Sequence, residues 1–228
     1  MTPHAVPRPP THLLYDWDNT LVDAWAGVAA ALNAAFTAFG LPSWSIADTR
    51  ARVRTSLRDS FPPLFGPDWT RARDIFYATL EACHLDHVAP LPGTAALLAA
   101  GIPARQAVVS NKTGRYLRAE VAHLGWDARF AAVIGAGDAT ADKPDPAPLR
   151  LALDRLGAVA GPTIWYVGDT ASDMQAARAA GVSAVLLGDA SHDGGIDLAA
   201  PDLHFADAAS LIRGFSGTDP GACLPGRR

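Results

Sequence analysis

Lysine and cysteine are almost absent from this 228-residue chain, and each scarcity excludes something. The two cysteines, Cys83 and Cys223, stand far apart, one in a predicted helix and one in a Gly/Pro-rich tail, so the disulfide framework of a small secreted domain is ruled out. Such thiols suit a reducing cytoplasm. Nowhere do about eighteen apolar residues follow one another, as a membrane span requires, and the proline-rich start, Met1 to Thr11, lacks the apolar segment of a signal peptide. A cytoplasmic protein with no membrane partner is expected. The formal charge is −4 and the arginines are scattered, which leaves no basic field for nucleic acid. Small-molecule chemistry is the better prior, and 49% apolar content suffices for one sizeable core with a smaller module attached.

Short apolar runs alternating with helical patterns predict strands at 12–16, 106–110, 131–135, 163–168 and 183–187, with a sixth at 203–205. Helices are expected between them at 113–125, 146–157 and 172–181, the last two stopped by Gly157 and Gly181. This alternation implies a doubly wound, Rossmann-like parallel sheet covered on both faces. Between the first two strands the pattern changes. Residues 24–39, 46–60 and 68–85 read as helices with no strand among them, and Pro62-Pro63 is expected to separate the last two. The predicted organisation is an α/β core at 12–22 and 91–215, an inserted helical module at 23–90, and flexible termini at 1–11 and 216–228.

The first predicted strand runs into Asp16-Trp17-Asp18-Asn19-Thr20, two carboxylates one residue apart and expected to project into one small volume. Like charges that close need a compensating cation or a shared proton. They also offer a division of labour: one attacks an electrophilic phosphorus, and the other protonates the leaving oxygen and then deprotonates water. Three further segments close or follow predicted strands. Ser110-Asn111-Lys112 brings a hydroxyl and backbone N–H groups that cradle phosphoryl oxygens. Asp142-Lys143-Pro144 holds an ammonium on a proline-stiffened loop, and Lys112 and Lys143 are the only lysines in the chain. Gly168-Asp169-Thr170-Ala171-Ser172-Asp173 adds two carboxylates four residues apart. With Asp16 they form an all-oxygen cluster suited to Mg²⁺. Taken singly, Ser110 and Asp173 also fit plain helix caps, and Asp18-Asn19 a plain turn.

With these four motifs in order, the chain resembles the haloacid dehalogenase-like phosphohydrolases, most closely the subgroup that includes phosphoglycolate phosphatase, over about residues 12–215. The resemblance implies a sheet with the first strand central, the second and third on one side, and the fourth and fifth on the other. It implies Asp16 as a nucleophile that becomes an aspartyl-phosphate, Asp18 as general acid–base, and Ser110 and Lys143 binding the phosphoryl group. Thr20 would anchor the turn, with Thr20 and Asn111 lining the substrate side. Mg²⁺ would be held by Asp16, the Asp18 carbonyl and Asp169, with Asp173 beside it or an occasional ligand. Asn19 stands where a glycine is common in that family. The presence of Asp18 favours phosphate ester hydrolysis over carbon–halogen cleavage, and residues 23–90 hold no lysine for a phosphonate-cleaving Schiff base.

The helical insertion resembles the cap that such enzymes close over the site. Arg50, Arg54 and Arg58 share one flank of a predicted helix; Arg58 is the candidate to read a substrate carboxylate, against a solvated-face alternative. His84, Asp86 and His87 beside Cys83 mimic a metal cluster but lack a second ligand pair, and Gly188 to Gly195 reads as a flexible loop. The expected partner is a small phosphorylated metabolite, phosphoglycolate first. The alternatives are a sugar-phosphate or nucleotide phosphatase, a phosphoglucomutase-like transferase, or a catalytically silent phosphate-binding module.

Overall fold

The computed structural model describes residues 9–53, 57–102 and 105–215 and the backbone of 222–223, with no side-chain description at 58 and 59. β1 (His12–Tyr15) leads to β2 (Val22–Asp23) and then to helices α1 (Trp25–Ala38), α2 (Ile46–Arg52), α3 (Leu57–Phe65) and α4 (Trp69–His87). β3 (Ala89–Pro90) forms a two-stranded sheet with β2. After α5 (Thr94–Ala100) the chain alternates: β4 (Gln106–Thr113), α6 (Gly114–His123), β5 (Ala132–Ala136), α7 (Ala147–Leu156), β6 (Ile164–Gly168), α8 (Ala171–Ala180) and β7 (Ser183–Leu187). The short α9 (Ile196–Ala199), β8 (Leu203–Phe205), α10 (Ala208–Phe215) and β9 (Ala222–Cys223) complete it. Two compact units result, one made of residues 1–22 and 90–228, the other of 23–89. No described helix is long and apolar enough to cross a membrane.

The main sheet has the order β5-β4-β1-β6-β7-β8-β9 and is parallel apart from its last pair, so the expected arrangement around a central β1 is borne out. Its inner strands are apolar on both faces because helices cover both. Leu14, Val109, Ile134, Tyr166 and Leu186 pack on Leu149 and Leu153 of α7 and Met174 and Ala177 of α8. Elsewhere, Trp165 meets Phe205 and Phe215, with ring centroids 5.9 and 6.1 Å away. The termini differ from expectation at one point: Ala222–Cys223 adds an antiparallel edge to β8. The short α5 and α10 were not legible, since Thr94–Ala100 offers only the apolar pair Leu97-Leu98 among alanines.

The helical unit corrects one reading more sharply. The helix expected over 46–60 ends at Arg52, where Val53 turns extended, and α3 runs through Pro62 and Pro63 instead of stopping at them. Each proline removes a helix N–H and crowds the carbonyl one turn back. Phe61 and Phe65 offset that cost, for they lie one turn apart and join Leu32, Phe36 and Ala72 in a buried cluster. The Phe61 and Phe65 rings are 4.9 Å apart, and Phe36 and Phe65 are 5.6 Å apart. Phe61→Ala is expected to destabilise the protein by about 3–5 kcal/mol in urea unfolding, whereas a loss below about 1 kcal/mol would show that this packing does not hold α3 through its prolines.

Candidate active site

The loop after β1 is wound around one carbonyl. Trp17 C=O accepts from the N–H groups of Thr20, Leu21 and Val22 at 3.3, 2.9 and 3.1 Å. Asn19 takes a φ of 63°, the left-handed region that suits glycine and that asparagine tolerates better than most residues. That explains the residue standing in place of the usual glycine. β1 ends at Tyr15, and within this winding each carboxylate takes its own lysine, Asp16 pairing with Lys143 and Asp18 with Lys112.

Lys143 spends its ammonium on three partners: Asp16 Oδ1 at 2.7 Å, Asp173 Oδ1 at 2.7 Å and the Tyr166 hydroxyl at 2.8 Å. The Tyr166 hydroxyl in turn donates to the Val109 carbonyl at 2.8 Å. No donor among the described residues takes Asp16 Oδ2. Asn111, a predicted substrate contact, has both ends of its amide engaged with the Lys143 backbone, each at 2.9 Å. Asp173 caps α8 through Thr170, and its Oδ2 accepts from the Asp169 and Thr170 N–H groups and the Thr170 hydroxyl. Burial drives the Asp16 carboxyl up to about 8, with the Asp173 and Asp169 charges adding to it and Lys143 opposing. Asp173 stays below the ordinary carboxylate range, because Lys143 and the Thr170 donors outweigh its own burial.

Asp18 Oδ1 accepts from Lys112 at 2.8 Å, and Lys112 reaches Glu120 Oε2 at 2.6 Å. The Trp17 indole N–H donates to the same Glu120 oxygen at 2.7 Å. Burial raises the Asp18 carboxyl above its usual range despite Lys112. Lys112 itself is raised, as Asp18 and Glu120 overcome the downward pull of burial. Sequence reasoning missed Glu120, which reads as one more acidic residue on a predicted helix. The available signal was Lys112, one of only two lysines, eight positions before it.

Asp169 is held by Thr20 Oγ1 at 3.1 Å, Asn19 Nδ2 at 2.6 Å and His192 Nε2 at 2.9 Å. His192 comes from the segment expected to be a flexible loop. That segment folds as a 3₁₀ turn at Ser191–Asp193, and Asp193 accepts from the Ala171 N–H at 2.8 Å. Ser110 is buried where the β4–β5 register shifts between Val109 and Thr113, and its Oγ accepts from the Lys112 N–H at 3.2 Å. Oxygens of Asp16, Asp169 and Asp173 lie within 4.8 Å of one another, all buried, and no other such cluster occurs among the described residues. Five carboxylates, those three with Asp18 and Glu120, stand against two ammonium groups. That excess of negative charge and the all-oxygen donor set fit a hard divalent cation.

The helical unit has a different organisation. Arg54, Thr55, Ser56 and the side chain of Arg58 lie outside the described residues. Arg50 pairs with Asp23 at 3.0 Å, and Arg52 lies 4.8 Å from the Trp44 ring centroid. His84 is buried, and the Cys83–His87 stretch assembles no metal cluster.

At Gly168, beside the site, the backbone leaves no room for a side chain. A Cβ there would lie 2.5 Å from Asp173 Cβ and Cγ, and both groups are buried. Gly168→Ala is expected to cost about 1–3 kcal/mol in urea unfolding by displacing Asp173. Gly161→Ala, which meets nothing within 4 Å, is the control and should leave stability within about 1 kcal/mol. Equal effects at the two sites would contradict the crowding argument.

Residues 13–187 match the model of a family described as haloacid dehalogenase-like hydrolase. Among curated proteins, the chain is 34% identical over 216 residues to a phosphoglycolate phosphatase of Pectobacterium atrosepticum, covering 88% of this chain and 91% of that protein. A phosphoglycolate phosphatase of Xanthomonas campestris is 35% identical over 189 residues, covering 78% and 83%. Among solved structures, a haloacid dehalogenase-like family hydrolase of Streptococcus pneumoniae shares the fold with a TM-score of 0.77 at 21% identity, over 90% of this chain and 98% of that one. With the family model spanning most of the chain and these curated relatives aligned over 78–88% of it, the protein belongs to the haloacid dehalogenase-like hydrolases.

Proposed function

We propose that this protein is a Mg²⁺-dependent phosphomonoesterase acting on a small phosphorylated acid of the phosphoglycolate type. The observation that carries the reading is Asp16: a buried carboxylate with one oxygen fixed by Lys143 and the other without a donor among the described residues, inside an all-oxygen acidic cluster. In the proposed path Asp16 Oδ2 attacks phosphorus as the ester P–O bond breaks, and Asp18 gives its proton to the departing oxygen. Asp18 then takes a proton from water, which attacks the aspartyl-phosphate, releases phosphate and restores Asp16. Ser110 and Lys143 bind the phosphoryl group, Lys143 exchanging one of its three present partners for a phosphoryl oxygen while Asp173 orients it. Asp16, Asp169 and the Asp18 carbonyl would hold Mg²⁺, with Asp173 alongside, and the ion would supply electrostatic stabilisation of the transferring group. The helical unit, 23–89, is read as the cap that selects the leaving group, with Arg58 the candidate for its carboxylate.

The deciding experiment is phosphate release with and without Mg²⁺ over phosphorylated two- and three-carbon acids, sugars and nucleotides. Phosphoglycolate should lead, a chelator should abolish turnover and added Mg²⁺ should restore it. A sugar-led panel would keep the phosphatase chemistry and discard the substrate; recovery of an isomer in place of phosphate would make the protein a transferase. Asp16→Asn is expected to lower kcat by at least about 10³-fold, and an unchanged rate would refute its role. Arg58→Gln should raise KM for phosphoglycolate by about 10–100-fold and leave a carboxylate-free ester unaffected, the worth of one charge-assisted hydrogen bond pair.

A further inference from the structure

We propose that Glu120 is a positioning residue for Asp18, acting through Lys112. The inference rests on the reading of Asp18 as the general acid–base. Four residues close a ring of interactions: Trp17 and Asp18 are neighbours in the loop, Lys112 joins Asp18 to Glu120, and Glu120 Oε2 returns to the Trp17 indole. The loop is thereby tied to α6 twice through a single carboxylate oxygen.

The burial of its members says which one has freedom to move. The Glu120 and Lys112 side chains are 1% and 8% exposed, while that of Asp18 is 32% exposed. Trp17 is fully buried, and its ring is met edge-on by Trp126 at 5.8 Å. Without Glu120, Lys112 would keep one charged partner and could follow Asp18 toward solvent. With Glu120, the ammonium is a fixed post and Asp18 Oδ1 is pinned to it. The other Asp18 oxygen then keeps one direction from which to serve the leaving group. A misplacement of about 1 Å in such a group costs on the order of 10²-fold in rate. A purely structural tie between the loop and α6 would not need a buried carboxylate and ammonium, because apolar residues of equal volume often hold such a contact as well or better.

Leaving-group dependence separates positioning from plain stability. For a path through an aspartyl-phosphate, kcat/KM covers the steps up to departure of the leaving group, in which Asp18 donates its proton. An alkyl phosphate such as phosphoglycolate needs that proton, and 4-nitrophenyl phosphate, with its acidic leaving group, hardly does. The wild-type protein with Mg²⁺ is measured first on both esters. In Glu120→Gln, kcat/KM should fall about 10–100-fold on phosphoglycolate and less than about 3-fold on 4-nitrophenyl phosphate, with the circular dichroism spectrum retained. The double variant Glu120→Gln with Lys112→Met removes the buried carboxylate–ammonium pair, leaves only the part-exposed Asp18 without its ion partner, and should give the same selective loss if the single variant does not fold. An equal loss on both esters, or no loss on either, would overturn the inference while leaving the phosphatase reading intact. No turnover of either ester by the wild-type protein would overturn that reading and this inference with it, before any variant is made.

Discussion

Neutralising buried negative charge is the constraint on which the rest of this active-site region depends. Two lysines do it, and each lies between two carboxylates: Lys143 between Asp16 and Asp173, Lys112 between Asp18 and Glu120. An aromatic polar group completes each set, the Tyr166 hydroxyl accepting from Lys143 and the Trp17 indole N–H donating to Glu120. The pattern explains why a loop can carry two aspartates one residue apart. Their charges are not shared between them but separated, each referred to a different strand end. What stays uncompensated gathers around Asp16 and Asp169, where a divalent cation would be most favourable.

The sheet serves that separation. β1 is central and short, β4 and β6 flank it, and Asp16 just after β1, Ser110 within the later part of β4 and Asp169 just after β6 come to one end of the sheet. Close approach is built in at Gly168, which leaves room for Asp173, and at the register shift that carries Ser110 to Lys112. The folded segment after β7 adds His192 to Asp169, so a third loop supports the acidic cluster.

The strands and the principal carboxylates were legible in the sequence because they depend on local pattern, apolar runs ended by Asp, Ser or Gly-Asp, whereas the strand order followed only from the family resemblance. What was not legible depends on distance in three dimensions. Glu120 sits on an amphipathic helix where an acidic residue normally signals solvent, and only the approach of α6 to the β1 loop turns it inward. The separate lysine partners of Asp16 and Asp18 could not be read from strand parity, because the chain stops being a strand at Tyr15. At Pro62 and Pro63 a sound local rule lost to the packing of Phe61 and Phe65. Asn19 looked like a departure from its family and proved to occupy the glycine conformation while adding a hydrogen bond to Asp169.

The burial of Lys112 and Lys143 gives the protein an unusual surface. No other side chain carries a primary amine, and these two are 8% and 5% exposed. The cationic surface is therefore built of arginine, and acylating reagents or amine-directed cross-linkers find no lysine to take hold of while the fold is closed. Any lysine adduct that does form marks a molecule whose strand-end loops have opened, so the same two residues that balance the site's charge also act as a chemical reporter of its integrity.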